Sequence, residues 1–99
     1  MARAKEAGKI ISGLKQAVVR YDANRCVELS RVALEKGITA DYAVEKGLSA
    51  GMARVNELYR TQKYCLSELL VCVDALKAGL EVFRPHIRSK AVMRTVSYL

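Results

Sequence analysis

The run Leu66-Ser67-Glu68-Leu69-Leu70-Val71-Cys72-Val73-Asp74-Ala75-Leu76-Lys77-Ala78-Gly79-Leu80-Glu81-Val82-Phe83 decides the fold. Leu66, Leu69, Leu70, Val73, Leu76, Leu80 and Phe83 recur at three- and four-residue intervals, the period of an α-helix with one apolar stripe. Pro85 lacks a backbone donor and stops the helix. A stripe of this length needs a partner surface, so the flanking sequence has to supply further amphipathic helices, and this run reads as the central packing helix.

The partners lie upstream. Ile10, Ile11, Leu14 and Val18 mark a first helix from Ala4 to about Arg20, with Lys5, Lys9, Lys15 and Gln16 on its other faces. Asp22 can accept from the free amides at the start of a second helix, Asp22 to Lys36, whose apolar set is Cys26, Val27, Leu29, Val32, Ala33 and Leu34. Gly37 suits a left-handed C-terminal cap. Thr39 or Ala40 opens a third helix carrying Ala43, Val44, Leu48, Met52, Val55, Leu58 and Tyr59. Gly47 and Gly51 each weaken that helix by roughly 1 kcal/mol relative to alanine, which predicts a bend or close packing near Gly47. The polar stretch Arg60 to Lys63 separates it from the central helix. Four striped helices joined by short connections predict an all-α fold, an antiparallel four-helix bundle.

Composition bounds the function. The 99 residues are 52% apolar with one proline, enough for a single core and unlike a disordered chain. No long apolar stretch follows Met-Ala-Arg-Ala-Lys, and no window approaches the ~20 apolar residues that span a bilayer, so the expectation is a soluble, cytoplasmic protein. Cys26, Cys65 and Cys72 are an odd count in no disulfide spacing and read as reduced thiols buried as small hydrophobes. Two helical turns, about 10.5 Å, separate Cys65 from Cys72, too far for the pair to share a tetrahedral metal without outside ligands.

The net charge of +7 is unevenly spread. Arg3, Lys5, Lys9, Lys15 and Arg20 face only Glu6 in the first 21 residues, while Arg84, Arg88, Lys90 and Arg94 follow residue 83 with no acid. The middle carries eight basic and nine acidic side chains and is nearly neutral. A nucleic-acid-binding surface clusters its cations on one face or recognition helix, so this distribution favours solvated ends, with an acidic partner surface as the alternative. No phosphate loop, paired metal-spaced histidines or nucleophile with its base occurs. His86, the one histidine, sits after Pro85 at a helix end and reads as an exposed or carbonyl-bonded imidazole.

The string Gly47-Leu48-Ser49-Ala50-Gly51-Met52-Ala53-Arg54-Val55, continuing as Glu57-Leu58-Tyr59 and Lys63-Tyr64-Cys65-Leu66-Ser67-Glu68-Leu69-Leu70, resembles the helical cap module of cobalamin-dependent methyltransferase corrinoid proteins and of methionine synthase. Ala33-Leu34-Glu35-Lys36-Gly37-Ile38 upstream, and Asp74 to Val82 with Pro85-His86-Ile87 downstream, extend the likeness to roughly Ile10 through Arg88. The resemblance implies a bundle lying over the upper face of methylcobalamin, with the cofactor held by a following nucleotide-fold domain. It also implies roles for Tyr59 and Leu66 in shielding the cobalt–carbon bond, with Leu69 one turn further on; bundle core is the alternative reading of these residues. The implied partners are that cobalamin-binding domain and the methyl-donor and methyl-acceptor methyltransferases. The cap itself is no enzyme, and weak corrinoid binding at most is expected of this chain alone.

Three departures from the family pattern stand out. Asn56 replaces the usual glycine, which bears on close packing near the corrin, and Ser67 replaces a proline before Glu68-Leu69, where its hydroxyl can still serve a helix start. The Asp-x-His-x-x-Gly motif, whose histidine ligates cobalt from below in the family, does not occur in these residues. The expected division is a cap over residues 1–88 and a short basic tail over residues 89–99, whose Ala91, Val92, Met93, Thr95, Val96 and Tyr98 are similar in character to the first strand of the nucleotide-fold domain. The chain is accordingly expected to be a cap without its partner domain or a truncated product. The tail has three open outcomes: disorder, helix, or pairing with another copy. Bare apolar surface makes a homo-oligomer an expectation too. The competing functional reading is a small basic helical module for protein or nucleic-acid interaction.

Overall fold

The computed structural model describes residues 4–97; Arg3, Tyr98 and Leu99 lie outside them. The described residues are helical, with no strand among them. The elements are α1 (Ala4–Val19), α2 (Ala23–Glu35), α3 (Ala40–Ala43), a π-helical turn (Val44–Leu48), α4 (Ser49–Arg60), α5 (Leu66–Phe83), a 3-10 turn (Arg84–His86) and α6 (Lys90–Ser97). Helix α5 packs chiefly on α2, and α1 packs on α2 and α4. Among the described residues no helix is long and apolar enough to cross a membrane.

The expected local signals are present. The Asp22 carboxylate accepts from the Arg25 N–H at 3.0 Å and the Thr39 hydroxyl accepts from the Tyr42 N–H at 3.3 Å, satisfying amides that a helix start leaves free. The core gathers Leu14, Val18, Cys26, Leu48, Val55, Cys72, Leu76, Leu80 and Phe83, each fully enclosed. Ser30, the buried polar side chain of the core, donates its hydroxyl to the Cys26 carbonyl at 2.6 Å.

The expected irregularity at Gly47 is a π-helical turn from Val44 to Leu48, after which the helix resumes as α4. Its purpose is visible at the crossing with α1. A Cβ on Gly51 would stand 2.9 Å from the Lys15 carbonyl oxygen and 2.9 Å from Val18 Cβ, so the two backbones touch where only hydrogen fits. The π turn shifts the register that brings this glycine onto α1.

Three helices end in the same Schellman arrangement, in which two amides beyond the helix bond back to its last carbonyls. The Asp22, Ile38 and Lys63 N–H groups reach Ala17, Ala33 and Leu58, and the N–H groups of Tyr21, Gly37 and Gln62 reach Val18, Leu34 and Tyr59. The left-handed residue is Gly37 at φ 81°, as expected, but Tyr21 at φ 47° and Gln62 at φ 66° in the other two.

Of the three outcomes open for the tail, its described residues take the helical one as α6: the Ser89 hydroxyl accepts from the Val92 N–H at 3.3 Å at its start, and Val92 is buried against the core. One expectation is corrected. Cys65, expected inside with the other two thiols, is exposed, because it stands at the N-cap of α5 instead of on its buried face.

Candidate functional site

The junction between α4 and α5 is fastened at both ends. On the α4 side the Schellman bonds of Gln62 and Lys63 are joined by the Thr61 hydroxyl, which donates to the Glu57 carbonyl at 2.9 Å. On the α5 side the Glu68 carboxylate accepts from the Cys65 N–H at 3.1 Å, half of a capping box at a helix whose N-terminus favours an acid. Ser67, which the sequence offered for this helix start, is exposed, and the Glu68 carboxylate caps it instead. Between them the partly buried Tyr64 donates its hydroxyl to the Val19 carbonyl at 2.6 Å, occupying an acceptor that the end of α1 leaves free. The Cys72 thiol lies 3.7 Å from the same oxygen. Burial, and then the neighbouring Cys72, push the Tyr64 phenol above its ordinary range.

On this frame Tyr59 and Leu66 stand open to the outside, 43% and 56% exposed. Tyr59 closes α4 one residue before its end, and Leu66 is the first residue of α5. Tyr59, Arg60, Gln62, Tyr64 and Cys65 line a depression of about 490 Å³ at the junction. Leu69 differs from the other two: it is partly buried and packs against the core. Leu70, one turn beyond Leu66, is 55% exposed and extends the apolar surface; sequence reasoning had placed it in the packing stripe. The buried arc of α5 is instead Cys72, Ala75, Leu76, Gly79, Leu80 and Phe83, so the helix carries two apolar surfaces, one inward and one outward. Asn56 is exposed on α4 and does not enter the packing.

No group of three or more histidine, cysteine, aspartate or glutamate side chains that could hold a metal is present among the described residues. His86 is exposed and lies beyond the far end of α5, whose 18 residues span about 27 Å, so it cannot act at the junction. The cations of both basic ends are exposed where described, and Lys36 and Arg84 are paired with Glu6 at 3.1 Å and Glu81 at 3.2 Å.

Comparison with known proteins then places the chain. The family model for the B12 binding domain matches residues 10–84. The chain belongs to that family. The match takes in α2 through α5 and most of α1, and therefore the whole α4–α5 junction. Among curated relatives of this B12 binding domain, trimethylamine corrinoid protein 2 of Methanosarcina mazei is 33% identical over 86 residues, covering 85% of this chain and 39% of that protein. Trimethylamine corrinoid protein 2 of Methanosarcina acetivorans is 30% identical over 91 residues, 90% of this chain and 42% of the relative. Monomethylamine corrinoid protein 2 of the same organism is 26% identical over 84 residues, 85% and 39% of the two chains. This B12 binding domain thus spans about two fifths of the length of the curated relatives it matches. The cofactor by which the family is described is cobalamin, vitamin B12.

Proposed function

We propose that this chain is the helical cap of a corrinoid methyl carrier, its four long helices forming an antiparallel bundle that roofs the upper face of methylcobalamin held by a nucleotide-fold domain. The observation that carries the reading is the exposure of Tyr59 and Leu66 at one fastened junction. Ordinary core residues of this size would be sealed between helices, whereas a roof needs them turned outward. The surface also fits the cofactor chemically. Tyr59, Leu66 and Leu70 offer an open apolar face to a flat macrocycle, and the described residues around the junction include no cluster that would compete for cobalt.

When bound, the corrinoid supplies the bond that carries the methyl group. The side chains of the cap exclude water from it: Tyr59 and Leu66 cover, Leu69 backs them from the core, and the anchored Tyr64 keeps the junction from sagging. Movement of the whole cap then exposes the cofactor to the methyl-donor and methyl-acceptor enzymes. The chain makes and breaks no bond itself and is not an enzyme. The names of the relatives support a methylamine as the source of the methyl group; in this reading the amine meets the donor enzyme and not this surface, and the carrier works in the cytoplasm. Residues 1–88 form the cap in this reading, and residues 89–99 lead toward the cobalamin-binding domain.

The test is to mix the chain with methylcobalamin and a separately produced nucleotide-fold domain, and to follow photolysis of the cobalt–carbon bond. Addition of the cap slows photolysis, and Leu66→Asp or Tyr59→Ser removes the protection while leaving the helical content intact. Equal photolysis with and without the folded cap overturns the reading. Salt-sensitive retention of RNA or DNA, lost when Arg84, Arg88, Lys90 and Arg94 are neutralised, would point instead to the basic ends. Sedimentation of the isolated chain tests whether the uncovered roof self-associates into a homo-oligomer.

A further inference from the structure

Helix α6 has eight residues, well below the roughly 12–15 at which an isolated helix begins to persist in water. Its helicity therefore depends on attachment to the bundle. Attachments are visible at Val92 and at Asp41. Val92 is buried to 5% exposure in the core, while Lys90, Ala91 and Arg94 are exposed and Met93 is partly buried. The other is a carboxylate from the far side of the chain. One oxygen of Asp41 accepts from the Arg88 N–H at 3.0 Å, and its two oxygens accept from the Ser89 N–H at 3.3 and 3.2 Å. These bonds join residues 47 and 48 positions apart, so local chain geometry does not explain them.

The segment they hold is a corner. Pro85 ends α5 through the turn Arg84–His86, Ile87 is extended at ψ 126° and packs against the core, and Ser89 caps α6. Arg88 and Ser89 are thus the residues at which the chain changes direction on leaving the four long helices. Asp41 is itself fixed in the first turn of α3, behind the Thr39 cap. A carboxylate held on one side and two backbone donors held on the other set the angle at which α6 departs.

We infer that Asp41 is a latch: engaged, it fixes the Ile87–Ser89 corner and makes α6 part of the bundle; released, it turns the corner into a hinge and α6 into a flexible connection. This rests on the cap reading for its purpose, since a roof that must move needs a defined joint between itself and the domain holding the cofactor. Asp41 acts through backbone positioning and has no contact with the proposed roof surface.

Amide-resolved hydrogen exchange on the 99-residue chain tests it without any corrinoid. Asp41→Ala speeds exchange of the α6 amides at least tenfold and opens rapid tryptic cleavage after Lys90 and Arg94, with exchange in α1, α2 and α5 unchanged. Asp41→Asn, which keeps a carbonyl oxygen in place, restores part of the protection. Unchanged exchange in α6 with Asp41→Ala overturns the latch. Equal acceleration through α1, α2, α5 and α6 overturns it too, because Asp41 would then support the whole bundle. Failure of either kind leaves the photolysis result untouched, and a failed photolysis experiment leaves the latch standing.

Discussion

If Tyr59 and Leu66 form an outward surface, truncating them should cost the fold little, and the size of that cost separates a roof from a core. Complete burial of a leucine is worth about 1.5–3 kcal/mol relative to leaving it exposed. Leu66 is 56% exposed, so less than half of that is at stake, and a gap open to solvent adds no enclosed cavity. Leu66→Ala should therefore destabilise by about 1 kcal/mol or less. Leu76, ten residues along the same helix, is fully enclosed, and Leu76→Ala should lose about 2–5 kcal/mol from transfer and cavity together. Urea unfolding followed by far-UV circular dichroism measures both, with the slope of each transition confirming that the same surface unfolds. Tyr59→Ala should fall with Leu66→Ala, since Tyr59 is 43% exposed. Midpoints for Leu66→Ala and Leu76→Ala that coincide at equal slopes would refute the assignment of Leu66 to the outside, and with it the surface on which the corrinoid reading stands.

Three further outcomes follow from particular residues. Gly51→Ala should destabilise by about 1–3 kcal/mol because the new methyl meets the α1 backbone at 2.9 Å, whereas Gly8→Ala, with nothing within 4 Å, should stabilise by about 0.5–1 kcal/mol; thermal melts of the pair compare them. Gln62→Gly should raise stability by about 1 kcal/mol in urea by relieving the left-handed φ of 66° at the end of α4. Cys26 is pushed up from an ordinary 9.0 to about 11, first by burial and then by Asp22 and Cys72. A group whose folded value is raised contributes stability in full below its unfolded value, and loses it as pH climbs to the folded one. Unfolding free energy should accordingly fall between about pH 9 and pH 11, and Cys26→Ala should flatten that fall.

Much of the helical layout was legible because it rests on signals within a few residues of one another. Asp22, Thr39 and Gly37 stand where a cap requires them, and the break at Gly47 announced an irregular turn. The same Schellman ending at Tyr21 and Gln62 could not be read, because neither residue advertises a left-handed backbone. The apolar period of α5 was correct as a period and misleading as a face. Leu66 and Leu70 belong to the helix but not to its buried arc, and hydropathy does not distinguish a leucine facing the core from one facing outward. The tail was left open between outcomes for another reason. Its Val92, Thr95 and Val96 favour extended structure locally, while the helical outcome has a local cap at Ser89 and a second support from Asp41, a residue too distant in sequence for any local pattern to include.

The fastening of the junction bears on how a roof could open. Tyr59 sits in the Schellman bonds of α4, Leu66 follows an N-cap whose amide is bonded to Glu68, and Tyr64 between them is tied to the last carbonyl of α1. Swinging Tyr59 and Leu66 away from a cofactor by local rearrangement would break several of these bonds together and leave the Val19 carbonyl without its hydroxyl partner. Moving the packed helices as one body breaks none of them. The economical motion is therefore rigid, and a rigid body turns about a joint outside the part that carries the roof. The corner at Ile87–Ser89 lies beyond the opposite end of α5, about 27 Å along a helix of 18 residues, where a small change in angle becomes a large displacement of Tyr59 and Leu66. In the proposed reading, apolar cover and joint thus lie at the two ends of one long lever, and the inferred Asp41 latch, through its bonds to the Arg88 and Ser89 amides, sets whether that lever is free.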